Sequence, residues 1–175
     1  MTHVMIDLET LGTTSRSAWI SIGACIFDPA TGVVDPNTFY RNVDWDSALK
    51  GRNVTGDTLK WWMRQDPEAK EAVIHAGWPI EAVLTALAEW LPSDAVVWGN
   101  GSSFDISMLE DSYNQYGIAV PWKYFNVLDV RTVKRLAEGK VDCRNIPFNG
   151  VKHNALSDAI YQATYVSAMW KVLRA

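Results

Sequence analysis

Apolar residues recur along this chain with two different periods. At the start, Thr2-His3-Val4-Met5-Ile6 alternates as a strand does, placing Val4 and Ile6 on one face and His3 and Met5 on the other. A longer apolar run, Trp19 to Phe27, is rich in β-formers and stops at Asp28-Pro29-Ala30-Thr31-Gly32, a turn sequence. Gly32 to Val43 predicts a third strand. The period then lengthens to that of helices. Thr55 or Asp57 can cap a helix carrying Leu59, Trp61, Trp62 and Met63, and Asp66-Pro67-Glu68 reads as a cap followed by proline at the first helical position. Pro79 opens another helix, with Ile80, Val83, Leu84, Leu87 and Leu91 at helical spacing.

Beyond Pro92, Ala95-Val96-Val97-Trp98 predicts a short strand buried on both faces. Ser102 or Ser103 is placed to cap a helix reaching Gly117. Tyr124 to Val130 predicts a fifth strand, Arg131 to Glu138 a short helix, Gly139 to Lys152 a loop, and Asn154 to about Leu173 a long closing helix. The order of three strands, helices, strand, helix, strand and two helices predicts an α/β fold: a five-stranded mixed sheet with helices on both faces. No linker or repeat interrupts the 175 residues, so one domain spanning 1–175 is expected.

Composition adds limits. The net charge of −4 argues against gripping long nucleic acid with a broad basic surface, but not against an enzyme that holds only a chain end. Cys25 and Cys143 lack metal-ligand or redox spacing, and free thiols fit a reducing cytoplasm. The most apolar window, Ala18 to Phe27, is half the length of a bilayer span, so no membrane partner is expected. A signal peptide would consume the first strand. The expectation is a cytoplasmic protein.

The chemistry sits in three clusters of acids. In Asp7-Leu8-Glu9 two carboxylates lie one residue apart at the end of the first strand, so both project to one side. Like charges that close repel unless a cation lies between them. In Trp98-Gly99-Asn100-Gly101-Ser102-Ser103-Phe104-Asp105 a strand runs into a Gly-rich turn and then a helix whose first turn holds Asp105. Alone, such an aspartate merely complements the helix dipole. In His153-Asn154-Ala155-Leu156-Ser157-Asp158, residues five apart would be rotated by about 140° within one helix. If Asn154 is the cap, His153 lies outside the helix and can fold back over Asp158.

Taken in order, these clusters resemble the DEDDh exonucleases, 3′→5′ exonucleases on a ribonuclease H-like fold that include polymerase proofreading subunits, ribonuclease T and oligoribonuclease. The match assigns Asp7 and Glu9 to the first motif, Asp105 to the second, and His153 with Asp158 to the third. The wording DLETLGT and WGNGxxFD is similar to a phage and bacterial branch. Leu11 stands where better-known relatives have threonine, and GNGSSFD replaces their HNAxFD-like wording.

The resemblance implies two divalent cations, Mg²⁺ or Mn²⁺, held by oxygen ligands. Asp7 would bridge them, Glu9 and Asp158 would hold the ion on the side of the attacking water, and Asp105 would support the other. His153 would take the proton, as an imidazole can. The products would be nucleoside 5′-monophosphates from single-stranded DNA or RNA 3′ ends; the phage-like wording leans to DNA. Thr10, Leu11 and Gly12, where relatives meet the terminal nucleotide, are expected substrate contacts, with Leu11 as a wedge against the last base. Asn100 and Trp61 join them. Adjacent helical residues point about 100° apart, so Trp61 and Trp62 cannot both face the core. Asp129 reads as a helix cap and not as a ligand. Relatives include homodimers, and the nine tryptophans would suit one. An endonuclease on the same fold, an exoribonuclease and a catalytically dead binding module are the competing readings.

Overall fold

The computed structural model describes residues 1–175. Its sheet is built from β1 (Thr2–Thr10), β2 (Trp19–Phe27), β3 (Val34–Asn42), β4 (Ala95–Gly99) and β5 (Val127–Asp129), in the spatial order β3-β2-β1-β4-β5. β1 pairs antiparallel with β2, and β2 with β3; β4 and β5 run parallel to β1. β1 is therefore central, and its side chains alternate between two packed layers.

Val4, Ile6 and Leu8 face the larger core, where they meet α4 (Ile80–Trp90) and α5 (Asp105–Gln115). Met5 faces the smaller core, with Cys25, Trp98 and the apolar stripe Ala159, Ala163, Val166 and Met169 of α7 (Ala155–Arg174). By the same alternation Asp7 and Glu9 lie on the α7 side. Three shorter helices, α1 (Trp45–Leu49), α2 (Gly56–Met63) and α3 (Pro67–Ile74), fill the crossing from β3 to α4, and α6 (Val130–Leu136) follows β5. No helix is long and apolar enough to cross a membrane.

Two local expectations are corrected, α1 joins the expected elements, and Pro79 opens α4 as expected. The helix α1 has no apolar period because it is five residues long; the Asp44 carboxylate, accepting from the Ser47 N–H at 3.0 Å, starts it. β5 begins only at Val127. Tyr124–Asn126 forms a single 3₁₀ turn, and Tyr124 and Phe125 are 85% and 63% exposed, so their β-propensity finds no layer to pack against. Neither Ser102 nor Ser103 caps α5, whose N-cap position is Phe104. Pro79 sits at the N-cap of α4, one position before the first helical residue.

Candidate active site

The four acids are delivered by three pieces of the architecture. Asp7 and Glu9 sit two residues apart near the end of β1. Asp105 is the first residue of α5, reached through the Gly-rich turn after β4, where Gly101 takes φ +105°. Asp129 is the helix cap expected of it: its Oδ1 accepts from the Thr132 N–H at 2.7 Å, while Oδ2 accepts from the Ser102 N–H at 2.6 Å and so ties the turn to α6. Asp158 lies one turn into α7.

The α7 terminus explains how His153 and Asp158 meet despite their spacing. Asn154 is the N-cap, its Oδ1 accepting from the Ser157 N–H at 3.1 Å. The Asp158 carboxylate reaches back to accept from the His153 backbone N–H at 2.9 Å. His153 itself takes φ +60°, the single non-glycine residue in the left-handed region. This turn puts its ring over the site, and the ligand atoms of Glu9, His153 and Asp158 lie within 4.8 Å of one another.

α7 can come this close because Gly23 carries no side chain. Gly23 pairs with Asp7 across β1 and β2, and a Cβ there would collide with the backbone of Ala155 and Leu156. The first turn of α7 thus rests directly on the sheet beside Asp7.

The electrostatics are those of a cation site. Glu9 and Asp105 are buried, and Asp7 and Asp158 half-buried. Desolvation, then repulsion from Asp105, Glu9 and Asp158, raises Asp7 well above the usual carboxylate range. Desolvation and the charges of Asp158 and Asp105 lift Glu9 to about 8. Burial lifts Asp105 to about 7, restrained by the Leu8 N–H and by Arg131. Asp158 is raised by burial, with His153 opposing. No lysine or arginine forms an ion pair with any of the four.

One contributor was not anticipated. Gln162 of α7 is 5% exposed, and its Nε2 donates to Asp7 Oδ1 at 2.7 Å, fixing that carboxylate and leaving its other oxygen free of this bond. The Gln162 Oε1 is buried without a hydrogen-bond partner. Four hard oxygen donors of like charge, one of them oriented by an amide, fit divalent cations such as Mg²⁺ or Mn²⁺.

The expected substrate contacts divide. Trp61 is 41% exposed and meets the His153 ring edge-on at 4.7 Å between centroids. Trp62 is 7% exposed and donates from Nε1 to the Thr10 carbonyl at 2.9 Å, so it anchors the loop after β1. Leu11 does not project as a wedge: it is 2% exposed and packs in the larger core. Gly12 is buried against Ser17, where a Cβ would lie 2.5 Å from Oγ. Thr10 and Asn100 keep partial exposure beside the acids' strands.

This sheet order and acid placement define a ribonuclease H-like nuclease fold. The nuclease domain of 3′hExo, a DEDDh family member bound to rAMP, superposes with a TM-score of 0.64 at 13% identity, over 96% of this chain and 90% of that one. E. coli exonuclease I in complex with a dT13 oligonucleotide gives 0.69 at 15% identity, over 99% of this chain but 41% of that one. An exodeoxyribonuclease of Enterobacteria phage T4 is 26% identical over 161 residues, 75% of this chain and 70% of its own. Residues 2–170 match the model of the 3′–5′ exoribonuclease Rv2179c-like domain, and the chain belongs to that family. It is a DEDDh-type 3′→5′ exonuclease, a hydrolase of nucleic-acid phosphodiester bonds, and such exonucleases generally depend on divalent metal.

Proposed function

We propose that the domain spanning residues 1–175 removes nucleotides from single-stranded 3′ ends by a two-metal mechanism, with His153 as general base. The observation that carries this reading is the convergence of Asp7, Glu9, Asp105 and Asp158, four mutually repelling and unpaired acids, on the spot that the His153 ring overhangs. Asp7, on the central strand β1, would be shared between two ions; Glu9 and Asp158 would complete one site and Asp105 the other. The ions, Mg²⁺ or Mn²⁺, would supply electrophilic activation and charge neutralisation for an in-line displacement.

The chain's own groups do the rest. His153 sits against Glu9 and Asp158, where its ring nitrogen can accept a proton from a water attacking phosphorus. Trp61, 41% exposed, would offer a surface on which the terminal base stacks, a contact worth roughly 1–3 kcal/mol. Thr10 and Asn100, both partly exposed, would supply polar contacts to the terminal nucleotide. Attack from that side breaks the bond to the leaving 3′ oxygen and frees a nucleoside 5′-monophosphate.

The sugar is the finer question. The family description names RNA, which supports ribonucleotide ends; the phage relative's name and the wording DLETLGT support deoxyribonucleotides. Matched 5′-labelled DNA and RNA strands, with Mg²⁺, Mn²⁺ or EDTA, test both points together. A metal-dependent ladder shortening from the 3′ end supports the reading, and the faster strand gives the sugar. Opening of a closed circle would instead make the enzyme an endonuclease.

A further inference from the structure

A second concave surface lies along α6. Beside α6 and the loop after it lies a cleft of about 410 Å³, lined by Arg131, Lys134, Arg135 and Arg144 together with Glu138 and Asp142. Arg131, Lys134, Arg135 and Glu138 recur at three- and four-residue spacing, so they form one face of α6 and its continuation. Residues 131–144 hold five basic and two acidic side chains, a surplus of three positive charges in a chain whose net charge is −4.

Ordinary helix electrostatics account for only part of this. Lys134 and Arg135 in the last turn of α6 complement its dipole. Arg131 lies in the first turn, where the dipole opposes a cation. Its guanidinium packs on the Gly-rich turn, with Cζ 3.0 Å from where a Gly101 Cβ would stand, and its charge draws on Asp105. Arg131 thus links the cleft to the turn that carries Asp105. The cleft's acids do not close it: Arg135–Glu138 at 3.1 Å and Arg144–Asp142 at 2.9 Å are surface pairs, with both arginines more than 80% exposed. Exposed pairs of this kind contribute about 0–1 kcal/mol and yield to a phosphate.

We infer that this cleft holds the phosphodiester backbone of the substrate strand leading up to the nucleotides in the acid site. The inference rests on the proposed exonuclease function and gives it a length dependence. Phosphates are read by charge and not by base, so the contact is sequence-independent and salt-sensitive.

The test compares wild type with the double variants Lys134→Glu/Arg135→Glu and Lys134→Gln/Arg135→Gln. One readout is kcat/KM for a long single strand divided by that for a trinucleotide; the other is binding of the long strand against salt, in EDTA so that no bond is cut. Loss of two phosphate contacts should lower the ratio about tenfold in the glutamate variant and several-fold in the glutamine variant. The log–log salt slope should become shallower by about 1.4, at roughly 0.7 per phosphate on a single strand. An unchanged ratio and slope, in variants whose circular dichroism and melting match wild type, would overturn the inference while leaving the exonuclease reading intact. A wild type that shortens neither strand would overturn both.

Discussion

The His153 backbone N–H donates to Asp158 Oδ2 at 2.9 Å, so the residue proposed as base and the last acid are held together by the chain's own turn into α7. The turn works because His153 occupies the left-handed region at φ +60°. A non-glycine residue there is disfavoured, and the Asn154 cap, the Asp158 bond and the Trp61 and Trp62 rings against the imidazole hold it in place.

That geometry separates two substitutions that remove the same imidazole. His153→Ala and His153→Gly should both lose about 10²–10⁴ in kcat at neutral pH, the usual worth of a general base. The glycine variant should be the more stable by about 1 kcal/mol, since it adopts φ +60° without strain. Denaturant melts and steady-state rates check both. Mn²⁺ affinity should stay close to wild type in each; a large loss would make His153 a ligand.

Burial raises Glu9 to about 8 and Asp105 to about 7, whereas in the unfolded chain they titrate near about 4–4.5. Between these limits the metal-free folded protein binds more protons than the unfolded chain. Its stability should therefore fall as pH rises from about 5 to about 8. Divalent metal binds the ionised acids, so it should raise Tm more at pH 8 than at pH 5 and release protons on binding. Calorimetry in EDTA and in Mn²⁺ reads both effects.

Asp7 carries this to its limit. Asp7→Asn keeps an acceptor for Gln162 Nε2 and removes a carboxyl whose ionised form is opposed by burial and by Asp105, Glu9 and Asp158. The variant should be inactive yet melt higher than wild type in EDTA at pH 8, by about 3–10 °C at the usual 2–4 °C per kcal/mol. A melting point below that of wild type would mean that the acids are not mutually destabilising.

Much of this was legible from local sequence rules. The run Trp19 to Phe27 is β2 to the residue, and Asn154 and Asp129 cap the helices their positions implied. The folding back of His153 also followed from that cap. What escaped detection depended on tertiary partners. Gln162 looks like one polar residue in an apolar helix; its signal is that it lies one turn beyond Asp158, on the same face. The resemblance casts Leu11 as a wedge because relatives meet the terminal nucleotide there, but Trp62 and the core beneath the loop draw it inward. The importance of Gly23 was hidden, because a glycine in an apolar strand does not reveal which backbone crosses it.

Gly23→Ala follows from that contact. A methyl group directed at the Ala155 and Leu156 backbone has no flexible side chain to push aside. Lifting the α7 terminus should cost more than the usual 1–3 kcal/mol of overpacking. Because the same turn carries His153 and Asp158, activity at a temperature where the variant is folded should drop further than a simple stability loss would produce.

The tryptophan pair should split cleanly. Trp62→Ala, which empties a buried site and frees the Thr10 carbonyl, should lose about 3–5 kcal/mol of stability. Trp61→Ala should stay within about 1 kcal/mol of wild type and act through KM, as loss of a stacking face requires.

The most direct test of the central claim follows the first nucleotide to leave. A single strand labelled on its 3′-terminal nucleotide is given to wild type and to Asp7→Ala, with Mn²⁺ or with EDTA. The account requires the label to appear as a nucleoside 5′-monophosphate in the first turnover, with wild type and metal only. Release in longer fragments, or release that persists in EDTA or in Asp7→Ala, would contradict it.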